Sequence, residues 1–443
     1  MRIGFVTLPA PGHLNPMTTL ARKLQDRGHE IVFFGLPDSE PQVRAAGLPF
    51  FPCCQEEYPP GAWDKQMRDL SLLTGEAALE MTVKIICRSC RAFIRFGPAA
   101  IKQSEVDAMA VDSVARGFQC VAMTEKIPFV SISNALHADL SGNTPIWIFD
   151  WLPDAGPAAR TRNLQGLAAF NKFLAPLTEI QKAYLQQAGV AVDWSDPYAL
   201  LSQRAWITQV PKEFDFPSDT WPKQFHHTGP FHDDSGRAPA DFPWERLTGE
   251  PLIYASMGTL QNGSEGVFHV IANAACAPGR QLVLSIGPNL NIDQFGLLPA
   301  NTIVVNRAPQ LELLKRAALC ITHAGLNTVL ESLAQGVPMV AIPVTNDQPG
   351  VAARVVYSGA GLMISLKNLT AESLRVLVDQ VLNTTSFQEN SRRLQAAIEQ
   401  AKGLDLAATL IERALGASVA TTSSKLLGVR LDQNRSGFVD FRS

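Results

Sequence analysis

Two buried-strand patterns separated by a helical pattern open the chain and decide its fold. Residues 2–36 read RIGFVTLPAPGHLNPMTTLARKLQDRGHEIVFFGL. The runs at 2–8 and 31–36 are almost continuously apolar, which is typical of strands buried on both faces. The segment between them has helical spacing and ends in a glycine-containing turn. Strands joined in this way form a parallel β-α-β unit, so we predict a doubly wound, Rossmann-like α/β domain.

The same alternation returns later in the chain. Residues 108–133 repeat a strand, a helix and a strand, and a new series of apolar runs begins near residue 251. This series predicts a second doubly wound domain. Ligands bind at the carboxyl ends of the strands in such sheets, so the residues that follow each run are candidates for a site. The runs are residues 251–258, 281–287, 302–307, 319–325 and 338–344.

Shifts in composition predict the domain boundaries. Residues 137–205 are rich in Trp, Phe and Pro and show no regular pattern, whereas 226–250 are dense in Pro, Asp and Gly, as an interdomain linker is. We therefore predict a first domain over 1–225 and a second domain over 251–400. A C-terminal helix at 401–416 is expected to pack back on the first domain, and the patternless tail at 417–443 is expected to be disordered.

Composition excludes several classes of protein. The 443 residues carry a net charge of −3, with 46% hydrophobic and 18% charged residues, so there is no basic surface for nucleic acid. No apolar run is long enough to span a membrane or to act as a signal sequence, so we expect a cytoplasmic protein. Seven cysteines fit reduced thiols. Cys87 and Cys90 form a C-x-x-C without a second ligand pair, which favours two cysteines on a helix over a metal site.

Residues 321–332, ITHAGLNTVLES, place polar side chains where a strand pattern gives way to a helix pattern. A helix N-terminus has unpaired N–H groups and the positive end of the helix dipole, so the polar residues there predict a bound anion. Neither G-x-G-x-x-G after a strand nor G-x-x-x-x-G-K-[ST] occurs. Gly359 and Gly361 follow a helical pattern and lack a third glycine. Classical nicotinamide binding and P-loop phosphoryl transfer are therefore disfavoured.

Residues 307–348 contain, in order, Pro-Gln, His-x-Gly-x-Asn-Thr, a Glu three residues later, Gly-Val-Pro and Asp-Gln. This order resembles the signature of the UDP-dependent glycosyltransferases of GT-B fold, glycosyltransferase family 1. The segments NPMTTLARKLQDRGHE, HHTGPF and NDQPGVAARV resemble the bacterial macrolide and zeaxanthin glucosyltransferase branch. The resemblance extends over nearly the whole chain except the tail. It implies two Rossmann-like domains facing across a cleft, with the acceptor in the first and the nucleotide sugar in the second.

The resemblance also assigns roles in the second domain. Hydrogen-bond donors aimed at a diphosphate leaving group lower the barrier to its departure, and His323, Asn327 and Thr328 match those donors. Glu331 would accept hydrogen bonds from the ribose hydroxyls, and Gln310 matches a position that reads the uridine. The remaining residues are Ser256, Gly258 and Thr259 on a phosphate-facing loop, Gly325 at the helix start, Arg307 and Ala308 beside the base, and Asp347 and Gln348 on the sugar hydroxyls.

In the first domain, the resemblance makes His13 the base that deprotonates the acceptor hydroxyl and Asp112 the group that orients its imidazole. An acceptor pocket with mostly apolar walls is expected from residues 51–90 and 134–152. Its candidate residues are Asn134, Trp147, Phe149 and Trp151.

The activity so implied is inverting transfer of a sugar, glucose first, from a UDP-sugar to a hydroxyl of a lipophilic small molecule such as a carotenoid, polyketide, flavonoid or other phenol, or sterol. No cofactor or metal is expected, since no D-x-D occurs in the chain. We expect a monomer or weak dimer that binds no nucleic acid, and peripheral membrane contact stays open. The alternatives are a dTDP-sugar-dependent natural-product glycosyltransferase, a nucleotide-sugar epimerase or hydrolase, and a catalytically inactive binder.

Overall fold

A computed structural model describes residues 1–73, 75–233, 240–258, 265–287, 290–295 and 298–416. Within these ranges the first half of the chain forms a parallel sheet of seven strands. The strands are β1 (Arg2–Val6), β2 (Glu30–Gly35), β3 (Phe50–Pro52), β4 (Ala108–Asp112), β5 (Phe129–Ser133), β6 (Trp206–Thr208) and β7 (Phe225–His227). Their order is β3-β2-β1-β4-β5-β6-β7, so the predicted strands at the start of the chain and at 108–133 are confirmed as neighbours.

Helices cover both faces of this first sheet, as expected for a parallel sheet buried on both sides. On one face α1 packs against the inward side chains of β1, β2 and β4, and on the other α4 and α5 pack against each other and the sheet. The helices are α1 (Pro11–Asp26), α2 (Glu40–Ala45), α3 (Ala62–Ser71), α4 (Gly75–Ser104), α5 (Arg116–Thr124) and α6 (Pro157–Gln187).

A second parallel sheet follows, with six strands among the described residues in the order β10-β9-β8-β11-β12-β13. All five predicted apolar runs form strands of this sheet. The strands are β8 (Leu252–Ser256), β9 (Gln281–Ser285), β10 (Thr302–Val305), β11 (Ala317–Thr322), β12 (Met339–Ala341) and β13 (Gly361–Met363). The helices of this half are α7 (Glu265–Ala275), α8 (Gln310–Leu314), α9 (Leu326–Ala334), α10 (Gln348–Tyr357), α11 (Ala371–Asn383) and α12 (Thr385–Ala401), and α13 (Gly403–Leu415) follows them.

The last described helix, α13, returns to the first domain and packs against α1. Arg27, the residue that follows α1, donates to Glu412 at 2.9 Å and to Asp405 at 3.0 Å, and His29 lies 3.2 Å from Glu412. The helix therefore ties the C-terminal part of the chain to the N-terminal domain. The tail predicted at 417–443 lies outside the described residues.

The two domains also share an apolar interface and a buried ion pair. Leu136 and Phe214 of the first domain belong to the same apolar cluster as Val351 of the second. Arg354 on α10 donates from Nε to Oδ1 of Asp215 at 2.7 Å, and both side chains are buried. Apolar packing and an ion pair thus join the described domains beside the cleft.

Three features differ from the sequence predictions. The stretch 137–205 contains the 31-residue helix α6, whose buried face includes Asn163, Gly166 and Gln181 and therefore lacks a clear apolar stripe. The boundary predicted at residue 225 falls on the first residue of β7, so the first sheet extends to His227. The sequence predicts His13 in the loop just before a helix, but helix α1 begins at Pro11 and contains His13 in its first turn.

Cys87 and Cys90 lie buried on α4, facing neighbouring elements as predicted. None of the helices described is long and apolar enough to cross a membrane.

Candidate active site

A histidine and an aspartate from neighbouring strand ends form the centre of the first-domain site. β1 and β4 are adjacent and parallel, so the loop after β1 and the end of β4 lie side by side. His13 in the first turn of α1 and Asp112 at the end of β4 approach there, with His13 Nδ1 2.8 Å from Asp112 Oδ2. The structure therefore brings together the two residues predicted as base and orienting group.

Asp112 is fully buried and held by further hydrogen bonds. Thr7 Oγ1 donates to its Oδ2 at 2.6 Å and Asn134 Nδ2 at 2.8 Å. Burial opposes the charge, but His13 and these two donors keep the pKa of Asp112 below its ordinary value. For His13, burial favours the neutral ring, but the carboxylate of Asp112 outweighs it and raises the pKa of the imidazole. The pair is therefore a carboxylate that stabilises imidazolium.

His323, at the end of β11 in the second domain, is enclosed by two glycines. A Cβ atom at Gly258 or at Gly325 would overlap the imidazole ring, and Gly258 has a φ of +74° that favours glycine as well. Burial lowers the pKa of His323 to about 4, although the backbone of Ser256 opposes the shift. His323 is therefore neutral near pH 7. It would serve a diphosphate as a neutral hydrogen-bond donor, not as a cation.

The start of α9 faces the first domain beside His13. Gly325 is the N-cap residue, with an extended backbone and no side-chain capping bond, so first-turn amides lack a capping side chain. Asn327 in this turn donates from Nδ2 to the carbonyl oxygen of Gly12 at 2.7 Å. Asn327, predicted to bind the diphosphate, thus contacts the residue that precedes the predicted base, and the contact joins the two domains.

Three predicted nucleotide-binding residues meet behind this helix start. Gln310 Nε2 donates to Glu331 Oε2 at 2.6 Å and to Thr328 Oγ1 at 3.3 Å. The side-chain oxygen Oε1 of Gln310 accepts from the hydroxyl of Tyr254 at 2.9 Å. Hydrogen bonds to both its nitrogen and its oxygen therefore fix the orientation of the side-chain amide. The Glu331 carboxylate is 3% exposed and lines a narrow gap between the domains. Removal of any one of these buried partners would leave a polar group without its hydrogen bond, which is costly.

Asp347 and Gln348 occupy the loop and first turn of α10. Asp347 Oδ2 accepts from the backbone N–H of Leu136 in the first domain at 2.9 Å. Burial raises the pKa of Asp347, only partly offset by that bond and by His13. Gln348 Oε1 accepts the N–H groups of Val344 at 2.8 Å and Thr345 at 3.0 Å, which shapes the loop. Of the two residues predicted to hold the sugar, Asp347 is therefore within electrostatic reach of His13 and bonded to the first domain, whereas Gln348 bonds its own loop.

The other predicted donor-site residues surround these groups. Arg307 is exposed, and the Ala308 carbonyl accepts the N–H of Gln310 at 2.9 Å. Ser256 Oγ accepts the N–H of Gly258 at 3.3 Å and so shapes the turn below His323. Thr259, the last predicted member of this loop, lies outside the described residues.

The four candidates for the acceptor pocket do not form one wall. Asn134 is 2% exposed and bonds Asp112 instead of lining open space. Trp147 packs at the domain interface, where its carbonyl accepts the N–H of Gly350 at 2.8 Å. Phe149 and Trp151 stack with ring centroids 3.9 Å apart and cover α6 at Gly166, where a Cβ atom would overlap the Phe149 ring. These three aromatic residues therefore contribute to packing, at the domain interface and against α6.

Sequence reasoning missed Thr7, Tyr254 and Gln209. Thr7 immediately follows β1, and the rule that ligand-site residues follow strand ends could have identified it. Gln209 follows β6, a strand of three residues that carries too little pattern to predict. Tyr254 is an inward residue within β8 whose hydroxyl reaches the site only through the sheet geometry.

Two doubly wound domains with a His-Asp pair on one side of the cleft and a polar helix start on the other define a glycosyltransferase of GT-B fold. A solved structure described as the glycotransferase of kitacinnamycin matches with a TM-score of 0.72 and 26% identity, covering 94% of this chain and 99% of that chain. Residues 168–418 match the family described as UDP-glucoronosyl and UDP-glucosyl transferase. The chain belongs to this family, as the sequence motifs predicted.

Two curated relatives extend the comparison over the whole length. Zeaxanthin glucosyltransferase of Pantoea ananas is 28% identical over 92% of this chain and 94% of its own length. Demethyllactenocin mycarosyltransferase of Streptomyces fradiae is 25% identical over 93% of this chain and 86% of its own length. These matches cover both domains, so the protein is a glycosyltransferase. The predicted fold is confirmed.

Proposed function

We propose that the protein transfers a sugar, glucose first, from a UDP-sugar to a hydroxyl of a lipophilic small molecule, with inversion at the anomeric carbon. One observation carries the proposal. Asn327 at the start of α9 bonds the carbonyl of Gly12, the residue next to His13, so a diphosphate at this helix start would lie beside the base. A donor and an acceptor can therefore meet at one point of the cleft.

The His13–Asp112 bond supports His13 as the base in this proposal. His13 Nδ1 is engaged by Asp112, so Nε2 is the nitrogen that takes the proton from the acceptor hydroxyl. The hydroxyl oxygen forms a bond to the anomeric carbon while the bond from that carbon to the diphosphate oxygen breaks. The electron pair of the broken bond leaves with UDP, and Asp112 stabilises the imidazolium. Attack opposite the leaving group inverts the configuration.

In this proposal, uncharged hydrogen-bond donors bind the diphosphate of the leaving UDP. The first-turn amides and dipole of α9, together with the neutral imidazole of His323, would bind the diphosphate as charge builds on it. We propose that no metal ion is needed for this step. The buried carboxylate of Glu331 would accept the ribose hydroxyls, and Asp347 would accept sugar hydroxyls.

The class of acceptor rests on two supports. The curated relatives are named for zeaxanthin and for demethyllactenocin, which are both small molecules. The segments predicted to hold the acceptor are rich in apolar residues, and those only partly buried include Met67 on α3 and Met81 on α4. Apolar walls with few polar groups suit a lipophilic aglycone.

The test is UDP release from UDP-glucose with and without a panel of hydroxylated lipophilic acceptors. The proposal expects acceptor-dependent release and a β-linked product, identified from the anomeric proton coupling by NMR. Equal release without acceptor would indicate a hydrolase. Interconversion of the sugar without UDP release would indicate an epimerase, and binding without turnover would indicate an inactive binder.

A dTDP-sugar donor is the second candidate, because one feature of the base site is compatible with either pyrimidine. Arg307, predicted beside the base, is exposed. A guanidinium there can stack on either pyrimidine without distinguishing the thymine methyl group. Competition between UDP-glucose and dTDP-glucose in one reaction measures the preference directly as a ratio of kcat/KM values.

A further inference from the structure

Gln209 joins the two halves of the site through one nitrogen atom. It directly follows β6 at the carboxyl edge of the first sheet and is 2% exposed. Its Nε2 donates to the backbone carbonyl of Asn134 at 2.7 Å and to Oδ1 of Asn327 at 2.8 Å. The side chain of Asn134 in turn bonds Asp112. Gln209 therefore bonds both Asn134, which holds the partner of the base, and Asn327 at the start of α9.

The chemistry of these partners fixes the direction of the amides. A backbone carbonyl only accepts, so Gln209 must turn its NH₂ group toward Asn134. That NH₂ group also donates to Asn327, whose side-chain oxygen Oδ1 must therefore face Gln209. The Asn327 NH₂ group is then forced to the other side, where it donates to the Gly12 carbonyl at 2.7 Å. Gln209 and the Gly12 carbonyl, both of the first domain, thus fix the Asn327 amide in the same orientation, and Gln209 alone holds its oxygen.

We propose that Gln209 is a positioning residue that keeps the Asn327 amide turned so that its NH₂ group, and not its oxygen, meets the diphosphate. The inference rests on the proposed function, because it places the diphosphate at the start of α9. Phosphate oxygens only accept hydrogen bonds, so an Asn327 amide turned round would present a repelling oxygen. When the donor binds, Asn327 Nδ2 exchanges the Gly12 carbonyl for a phosphate oxygen while Oδ1 stays on Gln209.

A double-mutant cycle on donor affinity tests this role. Gln209→Met keeps the length of the side chain but removes its hydrogen bonds, and Asn327→Ala removes the amide that Gln209 orients. Gln209→Met should weaken UDP-glucose binding by about ten-fold, the effect of misdirecting one hydrogen bond to a charged group. In the Asn327→Ala background the same change should have almost no further effect, because no amide is left to orient.

Gln209→Glu tests the direction of the amide without change of shape. A carboxylate accepts only, so it would attract the Asn327 NH₂ group and turn the oxygen toward the diphosphate. This variant should bind UDP-glucose more weakly than Gln209→Met. Gln203, exposed and on the loop before β6, supplies the matched control, and Gln203→Met should bind as wild type does.

The outcomes separate this inference from the proposed function. If the wild type binds neither uridine nor thymidine diphosphate in calorimetry, the proposed function and the inference both fall. If the wild type binds the donor and both Gln209→Met and Gln209→Glu bind it as tightly as the wild type does, the inference alone is overturned. An equal loss from Gln209→Met with Asn327 present and absent would also overturn it, because a merely structural role acts independently of that amide.

Discussion

His13 Nδ1 lies 2.8 Å from Asp112 Oδ2, although 99 residues separate the two in the chain. The contact exists because β1 and β4 are neighbours in a parallel sheet, which brings their carboxyl ends together. Asp112 raises the pKa of His13 against the opposing effect of burial. The ring is therefore a stronger base than an ordinary imidazole and is already oriented with Nε2 as the accepting atom.

The pH dependence of transfer follows from this contact. The base must be unprotonated, and its pKa in the folded protein is above the ordinary value of 6.5. We expect kcat/KM to fall as the pH is lowered through that raised pKa. Asp112→Asn removes the charge that raises the pKa, so its acid limb should move to lower pH while its plateau rate drops. An acid limb that stays in place in Asp112→Asn would contradict the assignment.

Glu331 gives a prediction for donor affinity. Glu331 is buried and bonds Gln310, so Glu331→Ala should leave ribose hydroxyls without an acceptor and leave the Gln310 amide only its longer bond, to Thr328. We expect UDP-glucose binding to weaken by about 1–3 kcal/mol in calorimetry. Glu312→Ala, which changes an exposed carboxylate on α8, is the control and should bind normally. Unchanged affinity in Glu331→Ala would show that the ribose is held elsewhere.

The fold was predictable from sequence where patterns were long and regular. Continuous apolar runs such as 31–36 and 319–325 predicted buried parallel strands, and the structure has β2 and β11 there. The helix α6 was not predictable, because two polar residues on its buried face bond backbone carbonyls of neighbouring elements: Asn163 bonds Gly142 in a loop, and Gln181 bonds Arg116 at the start of α5. A buried polar residue interrupts the apolar stripe on which a helix prediction depends.

The site was predictable only where a motif or a strand end marked it. His13, Asp112, Gln310 and Glu331 follow strands or belong to the motif, and the structure brings them into two bonded groups. Gln209 follows a strand too short to show a pattern, so its contacts required the three-dimensional arrangement of both domains. Hydrogen bonds across a domain interface leave no periodic signal in either partner's sequence.

Arg354 provides a prediction for stability. Burial opposes the charge of Asp215, but Arg354 and His137 hold its pKa well below the ordinary value. Arg354→Met would leave this buried carboxylate without its cation, which should lower the free energy of unfolding by about 3–5 kcal/mol. Arg393→Met, an exposed arginine on α12, should change it by less than about 0.5 kcal/mol in the same denaturant titration. Equal effects of the two variants would mean that the interdomain ion pair contributes little.

The use of neutral donors predicts independence from metal ions. No D-x-D occurs in the chain, and the start of α9 with His323 can meet the diphosphate charge. Transfer rates should be unchanged in excess EDTA, and added magnesium or manganese should not raise them. A strict requirement for either ion after chelation would reject this part of the mechanism.

Replacement of His13 separates an enzyme with this mechanism from a binder most directly. His13→Ala should reduce transfer to an aliphatic alcohol by about 10²–10⁴-fold, the usual contribution of a general base. UDP-glucose affinity should change little, since the donor is proposed to lie on the second domain. His269→Ala, on the exposed side of α7, should transfer as wild type does.

The decisive comparison uses two acceptors with wild type and His13→Ala. A nitrophenol is partly ionised near neutral pH and depends much less on a base, so it should recover much of the lost transfer, whereas an aliphatic alcohol should not. The account predicts a large loss with the alcohol and a much smaller loss with the nitrophenol. Near-normal transfer to the alcohol by His13→Ala would contradict it.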